Sequence, residues 1–176
     1  MVAPTKPQKV TANGKDSWWW VPAIASMTAP TLAEVNSVSG LNISCYLLAE
    51  QEGVTSSTEK VKLARLLCET TTTEGLGEQT WSLADLQAVF DPQAAAASTG
   101  KKAWDQLKSG TSGYLVRRQA FVALSDVAVT AGQFVDTFKV ETGKGTPGKS
   151  ANDASGIYTF TAPVALVDVQ FNVAVV

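Results

Sequence analysis

The segment from Gly143 to Ser150 has the residue types of a phosphate-binding loop, because it matches the pattern GxxxxGK followed by Ser or Thr. Val164–Asp168 also imitates the apolar strand ending in a metal-binding aspartate of nucleotide-binding folds. In such folds a helix begins directly after the loop, so that its N-terminal amides meet the phosphates. Here Ser150 is followed by the polar run 151–156 and then a strand pattern. We therefore interpret the segment as a Gly, Lys and Ser-rich hairpin loop.

The other residue types argue against catalysis. The chain contains 0 His, which excludes histidine triads, histidine metal sites and imidazole proton relays within it. Glu50 and Glu52 lie beside Gly53 and are typical of a solvated loop rather than of an acid and base pair. Cys45 and Cys68 lack the CxxC spacing of a zinc or redox site, and we expect two buried thiols in a reducing compartment. We expect no enzyme activity, no metal and no cofactor.

The chain contains two runs in which successive residues have the same side chain. In a strand such residues point to opposite faces, because side chains alternate across it. Arg117-Arg118 predicts one guanidinium on each face, with one of them buried in a contact or paired with an acid. Trp18, Trp19 and Trp20 cannot all point into one core, so at least one indole is expected to face outward. That ring either lies on the surface or contacts a neighbouring chain, since Trp is enriched at interfaces.

Composition predicts one β-rich domain with an arm. The chain has 176 residues, of which 45% are hydrophobic, enough for one core. Charged residues make up 17%, against about 25% in a typical soluble domain, so much of the exterior is uncharged or covered. A formal charge of -2 argues against binding nucleic acid or an anionic membrane, and no apolar run is long enough to cross one. Residues 1–17 are predicted to be a flexible arm and residues 18–176 a single domain.

Hydrophobic periodicity predicts mainly strands, with one helix of length. Alternation predicts strands over Leu41–Leu47, Tyr114–Leu124, Gln133–Glu141 and Ile157–Thr161, while Gln79–Phe90 alternates only partly. A short helical turn over Pro30–Val35 is expected with Thr28 as its cap, and Asp91-Pro92 is expected to begin the helix, which includes Ala94–Ala97 and Lys101–Lys108. Thr58–Thr73 stays ambiguous between helix and strand. The fold class is therefore mainly β, a sandwich or rolled sheet with a flanking helix.

The last segment, Val164–Val176, is the clearest predicted strand. Its apolar row contains Ala165, Val167, Val169, Phe171, Val173 and Val175, and its polar row contains Asp168, Gln170 and Asn172. The apolar row is expected to be buried and the polar row to be exposed to solvent. An apolar strand of this kind invites pairing with another chain when its edge is exposed. It is either interior to the sheet or completed by a neighbouring subunit, and the second alternative favours a self-associating structural protein.

Several diffuse motifs resemble the major tail proteins, or tail tube proteins, of long-tailed phages of actinobacteria. The resemblance runs from about Trp18 to the C-terminus. It is carried by Trp20–Ala25, Ala29–Val35, Gly40–Tyr46, Trp81–Gln87, Phe90–Gln93 and Phe138–Gly143.

The resemblance implies a subunit in which one sheet joins a β-barrel shared by a hexameric ring, with rings stacked into a tube that conducts the phage genome. It implies assembly around a tape measure protein, contacts with tail tip and tail terminator proteins, DNA only in passage, no membrane, and a place in the virion tail after assembly in the host cytoplasm. It also favours a strand within Thr58–Thr73. The alternatives are an Hcp-like secretion tube protein and a monomeric ligand-binding sandwich.

Residue assignments follow from this picture as hypotheses. The polar row of Asp168, Gln170 and Asn172 is expected to face the channel. Contacts between subunits or rings are expected from the arm and from Trp18, Trp19, Trp20, Lys144, Lys149, Val173 and Val175.

Overall fold

A computed structural model of the chain describes residues 9–11, 14–49, 51, 53–107, 110–120, 127–153 and 155–176. Over these residues the fold is mainly β, as the sequence predicts. Its elements are β1 (Ser17–Val21), α1 (Leu32–Val35), β2 (Leu41–Asn42), β3 (Thr55–Lys62), β4 (Glu74–Ser82), β5 (Leu86–Val89), α2 (Lys102–Leu107), β6 (Ser112–Arg118), β7 (Phe134–Thr142), β8 (Thr146–Lys149), β9 (Tyr158–Ala162) and β10 (Val164–Ala174).

The strands form three antiparallel sheets. Sheet I has five strands in the order β10-β7-β6-β1-β2, sheet II has three in the order β5-β9-β8, and β3 and β4 form a separate two-stranded ribbon. Trp20 and Phe138 of sheet I pack with Leu86 and Phe160 of sheet II in one buried cluster. Because α2 adds Ala103 to this cluster, the predicted sandwich with a flanking helix is confirmed.

A second cluster covers part of the opposite face of sheet I. Trp19 and Val116 pack there against Val35 of α1, Val129 and the C-terminal Val175. Sheet I is thus buried on both faces along β1, and the three indoles are 4%, 4% and 2% exposed. The prediction that at least one tryptophan faces outward is therefore wrong, because the alternating strand has a core on each side.

Helix α1 is confirmed, but its cap is Thr31 and not Thr28. The Thr31 hydroxyl accepts a hydrogen bond from the Glu34 amide, and the Glu34 carboxylate accepts one from the Thr31 amide at 2.8 Å. The same carboxylate accepts from the Ala25 amide at 2.7 Å. These backbone hydrogen bonds favour the charged carboxylate and lower the pKa of Glu34. The capping box thereby anchors the short helix that covers Trp19.

The strand predicted over Leu41–Leu47 ends at Asn42. The Asn42 carboxamide oxygen accepts from the Ser44 amide at 3.0 Å, which folds the chain into an Asx turn. Leu41 and Ile43 are buried as the alternation predicts, but Cys45 is exposed. A local side-chain hydrogen bond has therefore overridden the period-two pattern.

The predicted helix is reduced to the six residues of α2. Asp91 accepts from the Gln93 amide at 2.9 Å, so it opens a turn rather than a helix. Ala97 has a φ of 59°, which is incompatible with a right-handed helix. Turns therefore precede α2, and Lys108, the predicted end of the helix, lies outside the described residues.

The remaining predicted strands appear at or near their expected positions as β6, β7, β9 and β10. Residues 121–124, the predicted end of the strand that begins at Tyr114, lie outside the described part of the chain. The ambiguous segment contains the end of β3, so the strand favoured by the resemblance is confirmed over Thr58–Lys62 and the helical alternative is wrong. Gln79–Phe90 divides into the end of β4 and the whole of β5.

Candidate assembly surfaces

The outer strand β10 is the longest edge of the fold. It has 11 residues and pairs with β7 on one side, while the described residues place no strand on its other side. The opposite outer strand of sheet I, β2, has only 2 residues. An outer strand exposes unpaired N–H and C=O groups, and of the devices that protect such an edge β10 has two bulges but neither Pro nor Lys. Of the two alternatives that the sequence leaves for this strand, a position inside the sheet is wrong for the part of the chain that the structure describes.

Two bulges break the predicted rows of β10. Between Leu166 and Asp168 the pairing with β7 shifts, and it shifts again between Gln170 and Val173. The Asp136 carboxylate accepts from the Asn172 amide at 2.9 Å, and Asn172 has a φ of 53°. Each bulge changes which residues share a face. The prediction of one continuous buried apolar row is consequently wrong.

The apolar side chains of β10 are divided by these bulges. Val169 packs on the first cluster and Val173 on the second. Val167 and Phe171 are 60% and 43% exposed, Ala165 is exposed, and Val175, just beyond the strand, is buried. The Phe171 ring lies 5.2 Å from the ring of Trp81 in β4. The edge therefore carries an exposed apolar strip.

The polar side of β10 adjoins charged residues of β7. Asp168 pairs with Lys139, and Gln170 pairs with Thr137. Directly opposed residues of an antiparallel pair share a face, so Asp168, Lys139 and Glu141 form one exposed charged face of sheet I. Gln170 is half-buried and Asn172 is exposed at its bulge. Sequence reasoning missed Lys139 and Glu141, although their alternation with Phe138 and Val140 is a signal that could have found them.

The two arginines lie on opposite faces, as predicted. Arg117 Nη2 lies 2.6 Å from Asp16 Oδ2, and its guanidinium lies 5.4 Å from the Trp18 ring centroid. Arg118 is 1% exposed and donates to the Val127 carbonyl at 2.8 Å. Its guanidinium lies 5.0 Å from the centroid of the Trp19 ring, on the opposite face of β1. Burial lowers the pKa of Arg118. Both guanidiniums therefore hold loops and the residues before β1 against sheet I.

Half of the phosphate-loop motif is the first strand of a hairpin, so the segment is only partly the hairpin loop that the sequence predicts. Thr146–Lys149 is β8 and pairs with β9, and the Ser150 amide donates to the Ile157 carbonyl at 3.0 Å. No helix follows among the described residues up to 153, so the amides that a phosphate needs are not presented. Lys149 lies 5.4 Å from the Tyr158 ring centroid, and Lys144 is exposed.

The ribbon of β3 and β4 is a surface that sequence reasoning missed. Seventeen residues make up its two strands, 8 in β3 and 9 in β4, and the structure buries none of them. It nevertheless carries apolar side chains. Those at its strands and connecting loop that are at least 38% exposed are Val61, Leu63, Leu66, Leu67, Leu76 and Trp81. Exposed apolar side chains clustered on a ribbon whose strands bury no residue are typical of a contact with another chain.

The other candidate residues gain no support as a reactive site. Cys45 and Cys68 are both exposed, so the prediction of two buried thiols is wrong. Within the described ranges, no group of three or more His, Cys, Asp or Glu residues is placed to hold a metal ion. Glu50 and Glu52 lie outside the described residues. No helix in the described part of the chain is long and apolar enough to cross a membrane.

An antiparallel sandwich with a long open edge and an exposed ribbon that carries apolar side chains is a structural subunit suited to assembly. Residues 3–176 match the family model of the phage tail tube protein, and the chain therefore belongs to that family. It is a structural component of the phage virion tail, and proteins of this family are in general not enzymes.

A solved structure gives a weaker likeness. A chain of the anti-feeding prophage baseplate, from a 6-fold symmetrised cryo-EM structure, is 9% identical, with 98% of each chain covered and a TM-score of 0.48. No curated protein matches the chain.

Proposed function

We propose that copies of this chain form stacked hexameric rings, and that these rings are the tail tube of a long-tailed phage of actinobacteria. The open edge of β10 carries the proposal. Within one ring, β10 of each subunit pairs with a strand of the next, so that sheet I of every subunit joins one closed barrel. Closure removes the open edge that a single subunit leaves exposed.

The charged face of sheet I lines the channel in this arrangement. Asp168 and Glu141 contribute two carboxylates and Lys139 one ammonium group, with Gln170 and Asn172 beside them. An excess of acid repels the phosphate backbone, because DNA binds wherever basic groups cluster. The face is therefore suited to a genome that passes through the tube without binding to it. Placement of these side chains on the outer wall would contradict this assignment.

Contacts between subunits and rings come from the surfaces that one subunit leaves exposed. These surfaces are the exposed apolar strip of β10 together with Val173, the ribbon of β3 and β4, Lys144, Lys149 and the N-terminal arm. Trp18, Trp19, Trp20 and Val175 are buried inside one subunit and are not included. The tube assembles in the host cytoplasm around a tape measure protein and between tail tip and terminator proteins.

Negative-stain electron microscopy and light scattering of the purified chain at several concentrations test the proposal. Rings or hollow tubes are expected, either directly or after addition of a tail-tip complex as a seed. A species that stays monomeric at high concentration in the presence of the seed would contradict it. Deletion of residues 1–14 tests the arm, which is excluded as a contact if assembly is unchanged.

A further inference from the structure

An aromatic groove lies beside sheet II, and none of its lining residues belongs to β10. It has a volume of about 510 Å³ and lies between α2 and the β8–β9 hairpin. Its lining includes Phe90, Pro92, Trp104, Pro147 and Tyr158, with Lys101 and Lys149. The groove is therefore separate from the open edge of sheet I.

Packed aromatic rings support the floor of the groove. The ring of Trp104 stacks on Phe90 at 5.1 Å and 17°, and it meets Phe160 edge-on at 5.2 Å. Phe160 is completely buried, whereas Trp104 is half-buried and Tyr158 is 55% exposed. An indole that is fixed by ring contacts, lines a groove and is only half-buried is an anchor for an apolar side chain. The two ammonium groups select a partner that also carries carboxylates.

The ribbon offers matching chemistry on one of its faces. Glu59, Val61 and Leu63 alternate along it, so they share a face, while Lys60 and Lys62 occupy the other. A Cβ added at Gly77 would lie 2.7 Å from Val61 and 3.3 Å from Glu59, which places all three on that face.

Glycines leave this face flat. Gly75 lies directly opposite Val61 in the register, and Gly77 follows it on the same strand. Glycine within a strand marks a bulge, such as the register shift at Gly77, or a place where a ligand or another backbone can approach closely, as the open surface at Gly75 allows. Val61 and Leu63 remain 42% and 51% exposed beside it. The face is therefore apolar, flat and acidic, whereas the groove is apolar, concave and basic.

We propose that this glycine-floored ribbon face of one copy docks into the aromatic groove of a neighbouring copy. Val61 and Leu63 lie over Trp104, and Glu59 is paired with Lys149, with Lys101 beside the pair. The inference rests on the proposed assembly and names the receptor for the ribbon within it. It also gives the lysine of the phosphate-loop motif a role, since Lys149 becomes a docking cation.

Charge exchange tests the pairing. Glu59→Lys and Lys149→Glu should each slow tube growth at low salt by about tenfold or more, because each places like charges together. The double variant should recover growth to within about threefold of the original protein, because the pair is restored with reversed signs. Val38→Lys and Val38→Glu, which place the same two charges at a fully exposed residue outside the groove and the ribbon, are matched controls that should change growth little. Single variants that assemble normally, or a double variant no better than either single one, would overturn the pairing.

Cross-linking between copies gives an independent readout. In a Cys45→Ser, Cys68→Ser background, one preparation carries Leu63→Cys and another carries Asn152→Cys at the groove, so a disulfide can join only different copies. Oxidised tubes assembled from an equal mixture should yield covalent dimers, and a mixture of Leu63→Cys with the remote Val38→Cys should not. Tubes without dimers above this control would refute the docking and leave the tube intact. If the unmodified protein with a seed forms no tubes, the proposed function itself fails, and this inference fails with it.

Discussion

Strands β1 and β3 show two opposite uses of the same secondary structure. All 5 residues of β1 are buried, including Ser17, because sheet I has a cluster on each face. All 8 residues of β3 are exposed, because its ribbon lies against neither cluster. Alternation reports that a segment is a strand, but the number of faces that are covered depends on the rest of the chain. The subunit therefore divides into a sandwich that provides stability and a ribbon that is available for contacts.

Removal of one indole from each region should give the largest contrast. Trp20 is 2% exposed within the first cluster, so Trp20→Ala should lower the free energy of unfolding by about 3–5 kcal/mol through the lost burial and the cavity. Trp81→Ala in the ribbon should lower it by less than about 1.5 kcal/mol, because that ring is 38% exposed and contacts mainly Phe171. Urea unfolding of the monomer measures both. Equal losses would contradict the division into two regions.

Glycine replacements sharpen the same contrast. A Cβ at Gly113 would lie 2.5 Å from the Trp20 ring, so Gly113→Ala should destabilise the sandwich by about 1–3 kcal/mol through overpacking. A Cβ at Gly75 of the ribbon would meet only Leu63, at an ordinary 3.5 Å, so Gly75→Ala should change stability by less than about 0.5 kcal/mol. Thermal unfolding of the two variants in parallel provides the comparison. A more destabilising change at Gly75 would show that the ribbon is packed more tightly than described.

The cap of α1 should give a smaller and pH-dependent effect. Because the folded state lowers the pKa of Glu34 below its ordinary value of 4.5, its stabilising contribution is present above that value and is lost as the pH falls through the folded pKa. Glu34→Gln should therefore cost about 0.5–1.5 kcal/mol at pH 7 and progressively less below pH 4. Urea unfolding at several pH values measures the difference. A cost that is the same at pH 3 and pH 7 would exclude the charged cap.

The fold class and most strand positions could be predicted because they depend on local alternation. The strand after Asn42 was lost to a side-chain hydrogen bond with Ser44, and the helix before α2 was lost to turns at Asp91 and Ala97. Neither competing interaction changes the hydrophobic pattern, so periodicity alone does not report it. The burial of the tryptophan triplet depends on a second core, which forms from segments distant in sequence.

The candidate surfaces were predictable to different degrees. The polar residues of β10 and the lysines near the hairpin were visible as sequence patterns, and the opposite faces of Arg117 and Arg118 followed from strand geometry. The two bulges of β10 were not predictable, because they depend on its register with β7 and on the Asp136 carboxylate. The ribbon was missed because Thr58–Thr73 mixes helix-forming and β-branched residues, and because no buried face marks it as a strand.

Pairing at the open edge of β10 is the central claim, and one substitution tests it most directly. Val167 is 60% exposed at a bulge of this edge, so Val167→Lys should leave the monomer folded while placing a charge where the next subunit has to pair. Val38→Lys, at a residue that is fully exposed and lies outside β10, is the matched control. With a tail-tip seed present, electron microscopy should show tubes for the original protein and for Val38→Lys, and none for Val167→Lys. Normal tubes from a folded Val167→Lys variant would contradict the account.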